Sequence, residues 1–171
     1  MLSILSLESN QIGDEGTLTT LNLGYNPIGD DGKQYLEKIL QCLLEIVNLC
    51  NNYRQLHNSP PLSYHSRLHR AAQSHANYMA RTKHMAHEEN IDGQKNIGER
   101  AHKARYSWTI IGENVAAGQT TGSSVMDSWM HSKGHRDNIL NGKFRNIGLG
   151  IAQDANGVTY WCMVLGNWSG S

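Results

Sequence analysis

The sequence has no charge bias. Among its 171 residues Lys+Arg and Asp+Glu each number 15, so no excess of one sign steers the chain to nucleic acid or an anionic membrane. Its nine histidines are the reserve, because protonating some of them at mildly acid pH makes the chain cationic. Cysteine is scarce: Cys42, Cys50 and Cys162 are odd in number and lack metal-ligand spacing, which excludes a complete disulfide framework. They read as buried thiols, with one disulfide left open. A Cys42–Cys50 pair is geometrically poor, since positions eight apart on one helix are separated by about 12 Å. No stretch is long and apolar enough to span a bilayer; the most apolar run, residues 42–50, is short and carries Glu45. The start, MLSILSLESN, has neither a basic n-region nor an A-x-A-like site, so no secretory signal is read there.

What is present begins with a repeat. Leu5-Ser6-Leu7-Glu8-Ser9-Asn10-Gln11-Ile12-Gly13-Asp14-Glu15-Gly16 recurs sixteen positions later as Leu21-Asn22-Leu23-Gly24-Tyr25-Asn26-Pro27-Ile28-Gly29-Asp30-Asp31-Gly32. The pattern L-x-L-x-x-N-x-I-G-D-x-G resembles ribonuclease-inhibitor-type leucine-rich repeats. Such repeats bury their leucines by stacking about three or more copies. Two incomplete copies therefore read as a remnant, and the chain divides into residues 1–34 and a main domain over residues 35–171.

From Lys33 the period turns helical, with Leu36, Leu40, Leu43, Val47 and Cys50 on one stripe and Arg54 beyond it. Pro60-Pro61 closes that run. Leu62-Ser63 enters a second helix whose Leu68, Ala71, Ala72, Ala76, Met79 and Ala80 share a face, the alanines permitting close approach. His75 falls on or beside this face and reads as a core histidine held by a hydrogen bond, whereas His57, His65 and His69 read as surface residues. A third short helix is expected over residues 97–106, with Glu99 and Arg100 able to pair. After Asn141 the period becomes that of strands, over residues 146–153 and 158–166, joined at Asp154-Ala155-Asn156-Gly157. In the second strand Tyr160, Cys162 and Val164 alternate with Trp161, Met163 and Leu165. A strand apolar on both faces needs layers above and below it, which predicts helices on both sides of the sheet.

The chemistry-bearing stretch is residues 112–140, GENVAAGQTTGSSVMDSWMHSKGHRDNIL. Glu113 sits between Gly112 and Asn114 in an expected turn. Val125, Met126, Trp129 and Met130 follow at helical spacing, and Gly134 is expected to interrupt that helix just before His135. GENVAAG, then VMDSWMHSKGHRDNILNGKFRNIGLGIA, resembles the CAP superfamily, the SCP or pathogenesis-related-1-like domain, in its bacterial-type form. The resemblance extends back through NNYRQLHNSPPLSYHSRLHRAAQSHANYMA and HMAH and forward through YWCMVLG, from about Leu40 to the C-terminus. It implies an α+β fold, a three-layer α-β-α sandwich, and an extracellular, secreted protein.

The resemblance also implies a cavity lined by two histidines and two acids, in which the histidines hold a divalent cation such as zinc. Residue by residue these are His87, His135 and Glu113, while Ser132 stands where the second acid would be. His87 rather than His84 is chosen by its position eight residues after Met79. Two imidazoles and one carboxylate make an incomplete zinc shell, so two readings stand side by side: a weak cation site, or a buried hydrogen-bond network tying loops together.

His131 and His135 spell H-x-x-x-H without the glutamate of a metalloprotease helix. Ser132 lacks a G-x-S-x-G elbow. The function expected is a non-catalytic binding module for a lipid, such as a sterol, or for a protein partner, monomeric and without nucleic acid. The alternative is a metal-assisted or serine-type hydrolase using the same cleft. Asn167-Trp168-Ser169 is in addition an N-glycosylation sequon.

Overall fold

The structure is a computed structural model that describes residues 30–170; the leucine-rich repeat copies lie almost wholly outside them. Five helices and four strands follow in the order α1 (Asp30–Leu56), β1 (Ser63–Tyr64), α2 (Ser66–Thr82), α3 (Ile97–Lys103), β2 (Trp108–Ala117), α4 (Gly122–His131), α5 (Lys133–Leu140), β3 (Asn146–Gln153) and β4 (Thr159–Trp168). The boundary expected between residues 34 and 35 falls inside α1. The sheet order is β1-β3-β4-β2. β1 runs parallel to β3, and the β3–β4 and β4–β2 pairs are antiparallel.

The alternation in β4 is resolved as two cores. Trp161, Met163 and Leu165 join Leu43, Ile46, Val47 and Cys50 of α1, Val125, Met126 and Trp129 of α4 and Ile139 of α5 on one face. Tyr160, Cys162 and Val164 join Leu68, Ala72, Ala76, Met79 and Ala80 of α2 and Ala101 of α3 on the other. The α-β-α layering read from the sequence is the observed one. Full burial of each large apolar side chain contributes roughly 1.5–3 kcal/mol. The clusters therefore outweigh exposed ion pairs such as Lys133–Asp137, 2.6 Å, which contribute about 0.3–0.5 kcal/mol.

Close approach of α2 to β3 depends on two glycines. A Cβ on Gly148 would stand 2.2 Å from the Leu68 carbonyl carbon, and one on Gly150 would stand 2.4 Å from that of Ala72. The β3–β4 turn is the expected one, with Gly157 at φ +80° and the Asp154 carboxylate accepting from the amides of Asn156 and Val158 at 2.8 and 2.9 Å.

Several local expectations are corrected. Residues 63–64 pair with β3 before the second helix starts, and His65 is the N-cap of α2, its Nδ1 accepting from the Arg67 amide. His65 packs against the rings of Tyr106 and Trp168 at 4.8 and 5.3 Å, and His69 bonds the Leu149 carbonyl at 2.6 Å, so neither is a free surface residue. The helix over α4 ends at Ser132, not at Gly134, which lies within α5. Cys42, Cys50 and Cys162 are free thiols. Burial pushes Cys50 up to about 12.

Candidate functional site

Glu113 lies within strand β2, not in a turn. The sequence signal of flanking glycine has another cause: a Cβ at Gly112 would meet the Phe144 ring at 2.9 Å. As the end member of the sheet order, β2 is covered by side chains rather than by a further strand. Asn138 of α5 donates to the Glu113 carbonyl at 3.3 Å and to the Asn114 side chain at 3.0 Å, and the Trp129 indole of α4 donates to the Val115 carbonyl at 3.2 Å. Such covering satisfies the edge and removes a pairing hazard. It also brings α5, and with it His135, to the strand that carries Glu113.

The Glu113 side chain points to the α2–α3 face and is only 2% exposed. Its Oε1 accepts from His87 Nδ1 at 2.9 Å, and its Oε2 accepts from Arg100 Nη2 at 2.6 Å and from the Cys162 thiol at 3.5 Å. Burial pushes this carboxyl up. The His87 hydrogen bond and the Arg100 charge outweigh that effect and hold it below its ordinary value.

His87, in the loop between α2 and α3, has a side chain 58% exposed. Its hydrogen bond to Glu113 raises its pKa against the opposing effect of burial. His135 is half-buried on α5, and burial followed by the His87 charge lowers its pKa. Ser132 is the joint between α4 and α5, half-buried, with no side-chain cap bond. Among the described residues no hydrogen bond joins its hydroxyl to a histidine ring.

Three further residues complete the cluster. Arg100 of α3 is fully buried and pairs with Glu113, not with Glu99; the Glu99 carboxylate instead accepts from the Lys95 amide at 2.9 Å, just ahead of the Asn96 N-cap. Arg100 also donates to the carbonyls of Gln94 and His87 at 3.2 and 3.0 Å. His75 is the core histidine expected, its Nδ1 2.8 Å from Glu89 Oε1 and its Nε2 2.8 Å from the Ala86 carbonyl. Glu89 lies 3.8 Å from Arg100 Nε. The sequence signal for His75 was its place on the apolar face of α2. Arg100 had a weaker one, its neighbour Ala101 being a buried residue of a helix of only about two turns.

As a metal donor set these residues are partial. Glu113 has both oxygens committed, Ser132 supplies no carboxylate, and among the described residues no group of three or more His, Cys, Asp or Glu is arranged to hold a metal ion. Two imidazoles fall short of the three or four protein ligands that a closed zinc site takes. A surface hollow of about 650 Å³ lies elsewhere, lined by Asp92, Asn96, Glu99, His102 and Trp108 among others.

The chain matches the model of the cysteine-rich secretory protein family, CAP, over residues 47–165. It belongs to this family. Residues 1–16 and 17–36 match a leucine-rich repeat model. The CAP chain is 32% identical over 117 residues to the uncharacterized protein YkwD of Bacillus subtilis, covering 66% of this chain and 43% of that one. Among solved structures it is similar to an extracellular protein containing an SCP domain from Bacillus anthracis, with TM-score 0.68 and 24% identity over 83% of this chain and 45% of that one. It is also similar to an outer surface protein of Borrelia burgdorferi, with TM-score 0.69 and 17% identity over 75% and 94% of the respective chains. This CAP chain thus spans less than half the length of YkwD and of the B. anthracis protein. No helix among its described residues is long and apolar enough to cross a membrane.

Proposed function

We propose that this CAP domain is an extracellular, non-catalytic binding module that recognises a protein partner, with His87 and His135 holding a divalent cation such as zinc weakly at its cleft. The observation that carries this reading is the commitment of Glu113. A general base needs an oxygen free to take a proton from substrate. Here one oxygen is held by His87 and the other by Arg100 at 2.6 Å. That engagement, with Ser132 in place of a second acid, argues against the hydrolase alternative.

A surface partner is favoured over a lipid by the distribution of apolar exposure. Among the described residues the exposed large apolar side chains, Leu56, Met85, Trp108 and Val158, stand on four separate segments rather than in one patch. Extracellular placement rests on membership of a secretory family.

The test is calorimetric titration of zinc at neutral pH with His87→Ala and His135→Ala alongside, together with a chelator-controlled peptidase assay. Weak binding lost in both variants, with no peptidase activity, is the expected outcome. Chelator-sensitive hydrolysis abolished by the same substitutions would replace this reading with the hydrolase.

A further inference from the structure

One nitrogen of Arg100 does two things at once. Its Nη2 donates to Glu113 Oε2 at 2.6 Å and to the backbone carbonyl of His87 at 3.0 Å. The other Glu113 oxygen takes the hydrogen of His87 Nδ1 at 2.9 Å. The guanidinium therefore grips the backbone of His87 and, through a carboxylate, its ring. We infer that Arg100 is a positioning residue for His87: it selects the tautomer with hydrogen on Nδ1 and so delivers the Nε2 lone pair to the cleft.

The alternative geometry makes the need for Arg100 plain. Glu113 Oε1 lies 3.9 Å from His75 Nε2, a second imidazole within a small swing of the carboxylate. His75 is held away by Glu89 on Nδ1 and by the Ala86 carbonyl on Nε2, at 2.8 Å each. With Arg100 gone, only the weak contact of the Cys162 thiol at 3.5 Å is left on Oε2, and the carboxylate can turn toward His75 and release Nδ1 of His87. Lysine cannot replace the arrangement, because a single ammonium lacks the planar fork that holds a carboxylate and a carbonyl in fixed directions. The metal-ligand consequence follows a general pattern: an imidazole that donates one nitrogen to a carboxylate offers the other as ligand, with its orientation fixed.

This inference rests on the cleft being the binding site proposed above, yet its test does not require a bound cation. Long-range proton–nitrogen spectra of the histidine rings, taken at about pH 9 where imidazole is neutral, report the tautomer directly, with His87→Gln assigning the signal. A hydrogen bond to a charged group favours its tautomer by about tenfold or more, so the wild type is expected to show His87 as the Nδ1–H form. Arg100→Lys is expected to lower that ratio by at least about threefold and to weaken zinc binding in parallel.

A wild-type ring protonated on Nε2, or a folded Arg100→Lys protein with the ratio unchanged, overturns the inference. If Arg100→Lys does not fold, the guanidinium of Arg100 in the wild type decides. Slowed rotation of the Arg100 guanidinium, with couplings across its hydrogen bonds to the His87 carbonyl and the Glu113 carboxyl, supports the inference, and a freely rotating guanidinium overturns it. Zinc that fails to bind while the Nδ1–H tautomer is held removes the cation reading alone.

Discussion

The two faces of the sheet each bury an arginine, and they satisfy it in opposite ways. On the α1 face Arg54 is fully buried and donates to four carbonyls, those of Pro60 at 2.7 Å, Ile139 at 2.7 Å, Asn141 at 3.0 Å and Phe144 at 3.1 Å. On the α2 face Arg100 is equally buried but meets a carboxylate at 2.6 Å, with Glu89 and two histidines in the same cluster. Carbonyl dipoles cannot titrate, so the Arg54 cage works as a pH-independent clasp closing the ends of α1 and α5 onto the entry to β3. A carboxylate–imidazole cluster exchanges protons and can present one of its rings outward. The comparison separates a device whose charge is fixed from one whose charge follows pH.

Substituting each arginine by an isosteric apolar residue tests that separation. Arg54→Met leaves four carbonyls without their donor and is expected to cost about 5 kcal/mol, by the measure of buried polar groups that lose a charged partner. Arg100→Met is expected to cost somewhat less at neutral pH, about 4 kcal/mol, because Glu113 can take up a proton and His87 can charge in response. The pH dependences differ in form. Glu113 has its folded pKa depressed, so the stability it contributes is present above its unfolded value and is lost as pH falls through the folded value. The Arg100→Met deficit should therefore shrink on acidification while the Arg54→Met deficit stays constant, as read by urea unfolding across the carboxylate range. Equal slopes for the two variants would erase the distinction.

Much of the α1 face was legible in the sequence and much of the α2 face was not. The stripe Leu43, Val47, Cys50 continues by four residues to Arg54, and the same spacing that predicts its apolar neighbours places the arginine on the buried side. Its partners, carbonyls from residues 60 and 139–144, are set by tertiary contact and leave no mark in local composition. The alternation in residues 160–165 fixed the layering because each set has its own core to enter. Glu113 lies in a strand where a turn was expected, since Gly112 and Asn114 read locally as a turn while pairing with β4 overrides propensity. Arg100 read as able to pair with Glu99, its neighbour in sequence. Only the fold brings a residue of α3 against one of β2 thirteen positions away.

A smaller effect extends the contrast beyond the arginines. His69 of α2 donates from Nδ1 to the Leu149 carbonyl of β3, and burial takes its pKa down to about 4 despite that bond. The folded value lies below the unfolded one, so the native state binds fewer protons. Its contribution is complete above the ordinary histidine value and falls as pH drops from there toward about 4. The loss amounts to as much as about 3 kcal/mol. His87 has the opposite sign: its pKa is raised, so its contribution is complete below the unfolded value and lost as pH rises through the folded one. His69→Asn puts an amide nitrogen where Nδ1 stood and should flatten the acid limb of the stability curve measured by thermal unfolding. An unchanged limb would assign the acid sensitivity elsewhere.

The finest test compares the two fully buried cysteines, one per face. Cys50 sits among Leu43, Ile46 and Val47 in the apolar core, where a serine hydroxyl finds only the backbone of its own helix. Cys162 lies on β4 with its sulfur 3.5 Å from Glu113 Oε2, and there the carboxylate raises the thiol pKa further after burial has done so. A hydroxyl in that position donates to the carboxylate more strongly than a thiol does. Cys50→Ser should therefore cost about 1–2 kcal/mol and Cys162→Ser about 1 kcal/mol less, read as the difference in urea midpoints. Equal costs would mean that Glu113, already held by Arg100 and His87, has no capacity left for a third donor. The cluster would then be saturated in the same sense as the Arg54 cage, and the two faces would differ only in which of their acceptors can titrate.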